Sequence, residues 1–286
     1  MIKLYDYELS GNCYKLRLLL KILKVEYECI PVDFYPGREH KSDWFLQINP
    51  LGQLPALDHD GLVLRDAQAI LTYLAAKFDS TSKWYPTENS EMLGKINMWL
   101  SFADSITASA SAARLHDGLF YKLDIEAARK DAHNLFRILD EHLWFAEEQK
   151  QDWICTNDHP TIADITCFPY VMLSEEGGIS RLTYPAICRW TGRFRQIPDL
   201  SLCRESSSRV PDKFIRLKES DLNGMERGLL GHNLVTPGVS TFPQSLRRRR
   251  KSLLLNASKW WARLDLNQRP LPCEGRVLPT NSPKTL

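Results

Sequence analysis

A chain of 286 residues with 43% apolar and 25% charged side chains has the composition of a globular protein and the length for two ordinary domains, which excludes gross disorder and collagen-like repeats. The formal charge of +2 is unevenly spread: residues 1–199 carry 21 basic and 28 acidic groups, whereas residues 200–286 carry 16 and 7. No apolar run reaches the roughly 18 residues of a membrane span, and Met1 leads straight into Ile-Lys-Leu-Tyr without a signal core, so a cytoplasmic protein with no membrane partner is expected.

Residues 2–7 alternate as a strand, Ser10-Gly11-Asn12 reads as a turn, and Leu16, Leu19, Leu20 and Leu23 fall at helical spacing. Alternation returns at residues 25–29, and a separation of about a dozen residues makes a crossover, so the first two strands are expected to be parallel. A loop with Pro36-Gly37 leads to a short helix over residues 42–47, ended by Asn49-Pro50-Leu51-Gly52. Residues 54–57 and 62–64 flank Asp58-His59-Asp60-Gly61, an antiparallel hairpin signal, and Ala67, Ile70, Leu71, Leu74 and Phe78 mark one face of a closing helix. The order βαβ, α, ββα predicts an α/β domain over residues 1–78, a small mixed sheet with helices packed on it.

Residues 79–87 are polar, contain Pro86 and read as a linker. Residues 88–199 then show helical periodicity without a convincing strand (Met92, Ile96, Trp99, Leu100; Ala128, Leu135, Ile138, Leu139; 165–173; 187–194), which predicts an all-α domain. Thr161-Ile162-Ala163-Asp164 carries the reciprocal capping pattern in its Asp variant, a structural helix start. Residues 200–286 differ: a serine run, seven of the 16 prolines, the block Arg247-Arg248-Arg249-Arg250-Lys251 and no sustained period. This basic tail is expected to be disordered, with no nucleic acid partner because aromatic interleaving is missing. Leu264-Asp265-Leu266-Asn267-Gln268-Arg269-Pro270 also resembles translated structural RNA, as a frameshift or read-through near residue 199 would produce.

The turn Ser10-Gly11-Asn12-Cys13 lies between a strand end and a helix N-terminus, where unpaired N–H groups and the helix dipole favour an anion or thiolate. A dithiol redox site needs cysteine at both ends of such a turn, and Ser10 holds the first position, so a hydroxyl replaces the thiol. Ser10 is equally an ordinary helix cap, Cys13 a small buried residue and Asn12 a turn former. The seven cysteines are scattered, with no C-x-x-C and no zinc spacing, so reduced thiols and no metal are expected. Residues 108–116 are built largely of small side chains, which suits close helix packing or an open pocket; Arg114 and His116 read as surface residues or as contacts to a polar substrate.

Three segments resemble the cytosolic glutathione transferases, in particular bacterial and theta- or nu-like members: Ser10-Gly11-Asn12-Cys13 looks like the active-site turn, Asn49-Pro50-Leu51-Gly52-Gln53-Leu54-Pro55-Ala56-Leu57 is similar to the Asn-Pro-x-Gly-x-Val-Pro-x-Leu segment, and Leu64-Arg65-Asp66-Ala67-Gln68-Ala69-Ile70 resembles the acid-Ser-x-x-Ile segment. Residues 160–165 and Tyr184-Pro185-Ala186-Ile187 with Trp190 resemble parts of the family's helical domain, so the likeness covers about residues 1–199.

The resemblance implies a thioredoxin-like domain followed by an all-α domain, usually a homodimer, that uses glutathione as co-substrate against a small-molecule electrophile, with a role in detoxification. It implies that Ser10 hydrogen-bonds the glutathione sulfur with Asn12 as helper, that Gln53 and the backbone of Leu54 hold the tripeptide ahead of a cis Pro55, that His40 and Lys41 meet the glycine carboxylate, and that Asp66 faces the γ-glutamyl ammonium. Ala67 stands where the family usually has a serine that holds the γ-glutamyl carboxylate, leaving the backbone N–H. Asp104 is expected to reach the ligand across a dimer interface, its alternative being an exposed helix acid. Two other readings stand beside the transferase: thiol exchange with Cys13 as nucleophile, and a non-catalytic partner-binding module of the same fold.

Overall fold

β1 (Ile2–Asp6) alternates buried and exposed residues, with Leu4 sealed in the core, and lies second in a four-stranded sheet of order β2-β1-β3-β4. The computed structural model describes residues 1–119 and 121–197, and the expectations for the tail lie outside the described residues. α1 (Gly11–Ile22) crosses to the parallel strand β2 (Tyr27–Pro31), as the spacing predicts. β2 begins two residues later than the alternation suggests, and the exit from α1 is the reason. Lys24 takes a left-handed φ of 54°, its N–H bonds Lys21 O, and Val25 N–H bonds Leu20 O, a Schellman closure that commits Val25 to the helix end.

β3 (Ala56–His59) runs antiparallel to β1 and to β4 (Leu62–Arg65). The hairpin turn is tighter than the four-residue signal suggests: Asp60 and Gly61 alone form it, with φ of 52° and 91°, the left-handed pair that matches strand twist. Pairing starts at Ala56 because Pro55 has no N–H to offer a ladder. α3 (Ala67–Phe78) packs beside α1 on one face of the sheet, where Leu16, Leu19, Leu20, Ile70, Leu71 and Leu74 are all buried. Tyr5 faces the other way, into a cluster with Val32, Phe45 and Ala56 completed by α2 (Asp43–Ile48). This is a thioredoxin-like α/β fold, and the rest of the described chain is helical.

α4 (Ser90–Ile106) passes through a wide turn at Thr107–Ser111 into α5 (Ala112–Leu119), followed by α6 (Ile125–Glu148), α7 (Ile162–Met172) and α8 (Pro185–Phe194). The small side chains read at residues 108–116 serve close packing there: Ser109, Ala110, Ser111 and Ala113 are buried, and Ser109 Oγ donates to Ser105 O at 2.8 Å. α7 is the central post, buried from Ile162 to Val171 and packed against both α1 and α4. Its N-terminus carries the capping pair: Thr161 Oγ1 accepts from Ala163 N–H at 3.2 Å, and Asp164 Oδ2 accepts from Thr161 N–H at 2.9 Å. Asp164 Oδ1 also takes Ile154 N–H at 3.0 Å and Trp190 Nε1–H at 2.9 Å, binding α7 to α8 and to the loop before α7.

Candidate functional site

The turn after β1 is built from both halves of the chain. Asp6, buried at the end of β1, is paired with Arg17 of α1, which fixes the strand against the helix. Ser10 has extended backbone and caps α1, its Oγ accepting from Cys13 N–H at 3.2 Å. A hydroxyl that accepts still has its own hydrogen to donate, so capping and donation outward are compatible roles of one half-buried group. Cys13 is 0% exposed, its sulfur meets Tyr7 N–H at 3.5 Å, and burial reinforced by Asp6 pushes the thiol far above its ordinary range. A sealed, protonated thiol is no nucleophile, which corrects the thiol-exchange reading of Cys13.

Asn12 sits on the first turn of α1, its N–H donating to Tyr170 Oη at 3.2 Å and its Oδ1 accepting from Lys15 Nζ at 2.8 Å. Gly11 lies flat on the Tyr170 ring, where a Cβ would come within 2.6 Å of Cε1, so a side chain is excluded. Arg114 of α5 donates to Leu9 O at 3.1 Å and to Glu176 Oε2 at 2.6 Å. It braces the turn from the helical side; His116 pairs with its neighbour Asp117 at 2.9 Å.

The second segment is pinned by Asn49, buried, whose Nδ2 donates to Gln53 O at 2.7 Å while Oδ1 accepts from Leu51 N–H at 3.1 Å. Gly52 has φ of 56°, and a Cβ there would lie 2.7 Å from His40 O, so only glycine fits. The Gln53 side chain is exposed, and Leu54 precedes a cis Pro55. Lys41 Nζ donates to Leu51 O at 3.0 Å, which brings the lysine to the Gln53 loop. His40 does not join it at the surface: it is 4% exposed and stacked on Phe34 at 4.1 Å, burial lowers its pKa, and Nδ1 has no partner among the described residues.

At the third segment Asp66, with φ of 76°, caps α3 by accepting from Gln68 N–H at 2.9 Å and Ala69 N–H at 3.0 Å. Ala67 is 3% exposed behind it. Gln68 Nε2 donates to Asp104 Oδ1, while Oε1 is buried without a partner among the described residues. Asp104 therefore meets the start of α3 within a single chain, and burial together with Asp66 raises its pKa. Tyr7, Phe34 and Tyr121 form an aromatic wall from both halves, with ring centroids 5.4 Å (Tyr7 to Phe34) and 6.4 Å (Phe34 to Tyr121) apart. Among the described residues no cluster of three metal-binding side chains occurs, and no helix is long and apolar enough to cross a membrane.

A family model described as the glutathione S-transferase N-terminal domain matches residues 1–76. Glutathione S-transferase GstB of Escherichia coli (strain K12) is 28% identical over 211 residues, which span 69% of this chain and 95% of GstB. The crystal structure of a glutathione S-transferase from Pseudomonas fluorescens superposes with a TM-score of 0.61 at 28% identity, covering 69% of this chain and 96% of that one. Ure2p in complex with glutathione matches with a TM-score of 0.60 at 25% identity, covering 69% and 95%. Residues 1–76 thus match the glutathione S-transferase N-terminal domain, and the likenesses together support the cytosolic glutathione transferase superfamily. Against that superfamily's pattern, three residues of the site went unread in the sequence. Gln68 and Tyr170 were hidden because their roles depend on partners 36 and 158 positions away. Lys15 reads as a solvated helix lysine, and its only warning is its place among Cys13, Leu16 and Leu19 on the apolar face.

Proposed function

We propose that this chain is a glutathione transferase that takes glutathione as co-substrate, holds its sulfur as thiolate and directs it at an electrophilic small molecule. The observation that carries the reading is the Ser10 hydroxyl, held by the α1 N-terminus with its hydrogen left to donate, beside a cysteine that is sealed. A thiol of pKa about 8.5 is about 3% ionised at pH 7; lowering the pKa by about two makes it about three-quarters ionised, for about 2.7 kcal/mol. A hydrogen bond to a charged acceptor contributes about 1.5–3 kcal/mol and the helix terminus about 0.3–1. The sulfur then attacks carbon, a C–S bond forms and the leaving group departs with its electron pair, while the protein contributes thiolate stabilisation and positioning.

The rest of the tripeptide has matching chemistry. Asp66, Asp104 and the unpaired Gln68 Oε1 gather acceptors at the start of α3 for the γ-glutamyl ammonium, and the Ala67 N–H at the same helix end suits its carboxylate. Gln53 and the Leu54 backbone take the extended middle, with Lys41 beside them for the glycine carboxylate. His40 serves as floor beneath Phe34. The aromatic wall of Tyr7, Phe34 and Tyr121 faces the electrophile in this reading. The protein acts as a cytoplasmic homodimer, without membrane or nucleic acid partners.

Ala67 favours a second reading, a partner-binding module that has lost its glutathione, because the hydroxyl expected there is absent. Calorimetry of the full chain with glutathione, with thiol ionisation followed by ultraviolet absorbance, decides between them. Binding with a depressed thiol pKa that Ser10→Ala restores supports the transferase; no binding at millimolar glutathione overturns it in favour of the module.

A further inference from the structure

The ammonium of Lys15 is the most anomalous group in the described chain: it is 0% exposed, yet its hydrogen bond goes to a neutral carboxamide, Asn12 Oδ1, at 2.8 Å. Its other neighbours are the Tyr170 ring, 5.3 Å to the centroid, the carboxylates of Asp66 and Asp104, and the Cys167 thiol of α7. Burying a cation without a close counter-ion is costly, and methionine would fill the same space without that cost. A costly charge beside a proposed catalytic group is a sign of function.

The chemistry of lysine fixes what the contact does. An ammonium has donors only, so the carboxamide must present Oδ1 to it, and the Nδ2 donors of Asn12 then face away from the core. The positive charge also draws electrons from the carboxamide and sharpens those donors. The Asn12 backbone N–H is held in turn by Tyr170 Oη, which fixes where the residue stands, while Lys15 fixes which way its carboxamide faces.

We propose that Lys15 is a positioning residue of the thiolate site: its buried ammonium locks the Asn12 carboxamide with the oxygen inward and presents the polarised Nδ2 donors to the sulfur of glutathione. The proposal rests on the transferase reading above. It is tested with full-chain parent, Lys15→Met, Asn12→Ala and the double variant, each measured for the thiol pKa of bound glutathione, for kcat and KM with glutathione and an activated aryl chloride, and for thermal midpoint. Lys15→Met is expected to raise the bound thiol pKa by about one and lower kcat about tenfold, with KM for glutathione within about twofold and the midpoint unchanged or higher. Asn12→Ala is expected to do the same, and the double variant to be no worse than either single one.

Additive losses, or a Lys15→Met protein whose thiol pKa and kcat match the parent, would overturn it. Lys15→Gln, which keeps a neutral donor, is expected to recover part of the loss by orienting Asn12 without the charge. If neither Lys15 variant folds, the ammonium serves the fold and the proposal falls. A parent that itself shows no depressed thiol sinks the transferase reading, whereas a depressed parent matched by Lys15→Met sinks this inference alone.

Discussion

At the start of α7, Thr161 accepts one backbone N–H and Asp164 takes four further donors, two from Thr161 and one each from Ile154 and Trp190, all in a region sealed from solvent. At the start of α1, Ser10 accepts one N–H, Asn12 turns its oxygen to a buried lysine, and both residues stay half-exposed. The two helix starts use the same local grammar, a hydroxyl cap on extended backbone. They differ in unsatisfied capacity: one end is closed on itself, and the other holds donors in reserve. The difference separates a structural terminus from a candidate site more sharply than residue type does.

That contrast can be broken most forcefully at α7. Asp164→Ala leaves the N–H groups of Thr161, Ile154 and Trp190 without their acceptor and is expected to cost about 3–5 kcal/mol, a fall of about 10 °C in the midpoint by calorimetric scan. A loss under about 1 kcal/mol would erase the distinction. Ser10→Ala should split the other way: about 1 kcal/mol of stability from the lost cap, against about a hundredfold in kcat/KM, roughly 2.7 kcal/mol, by steady-state assay.

Lys15 sharpens the comparison through pH. Burial pushes its pKa down to about 8, opposed by the Asp104 and Asp66 carboxylates. The unfolded chain binds that proton up to about pH 10.4, so the charge costs the fold about 3 kcal/mol below pH 8, and the cost fades as pH rises from there. Lys15→Met should therefore gain about 1–3 kcal/mol in urea at pH 7 and nothing near pH 10.5. The smallest effect is expected at α3, where Ala67→Ser restores a hydroxyl and should tighten glutathione about fivefold by calorimetry, about 1 kcal/mol.

Much of this was legible in the chain. Alternation at β1 and β2, the crossover spacing and the Asp60-Gly61 turn define the sheet, and they depend on neighbours a few positions apart. Cys13 was readable as core because it falls in step with Leu16 and Leu20 on the helix face. The charge on Lys15 was illegible because burial of a long side chain is decided by Tyr170, far along the sequence. His40 turned inward for the same kind of reason: its partner Phe34 is near in sequence, but the stacking depends on how the loop folds back. The β2 start was missed because a left-handed lysine stood where a glycine would have announced the helix end.

The contact between Gly11, Asn12 and Tyr170 has a consequence in time as well as in space. The sheet and α3 are complete once residue 78 has been made, yet the surface on which the candidate-site turn rests is supplied by a residue 92 positions later. At about 5–20 residues per second, on the order of ten seconds pass on the ribosome between those two events. A nascent chain in that interval has its strands in order and its turn unsupported. Retention on immobilised glutathione would then mark the moment at which α7 docks, so that the ligand acts as a clock for the completion of the helical half.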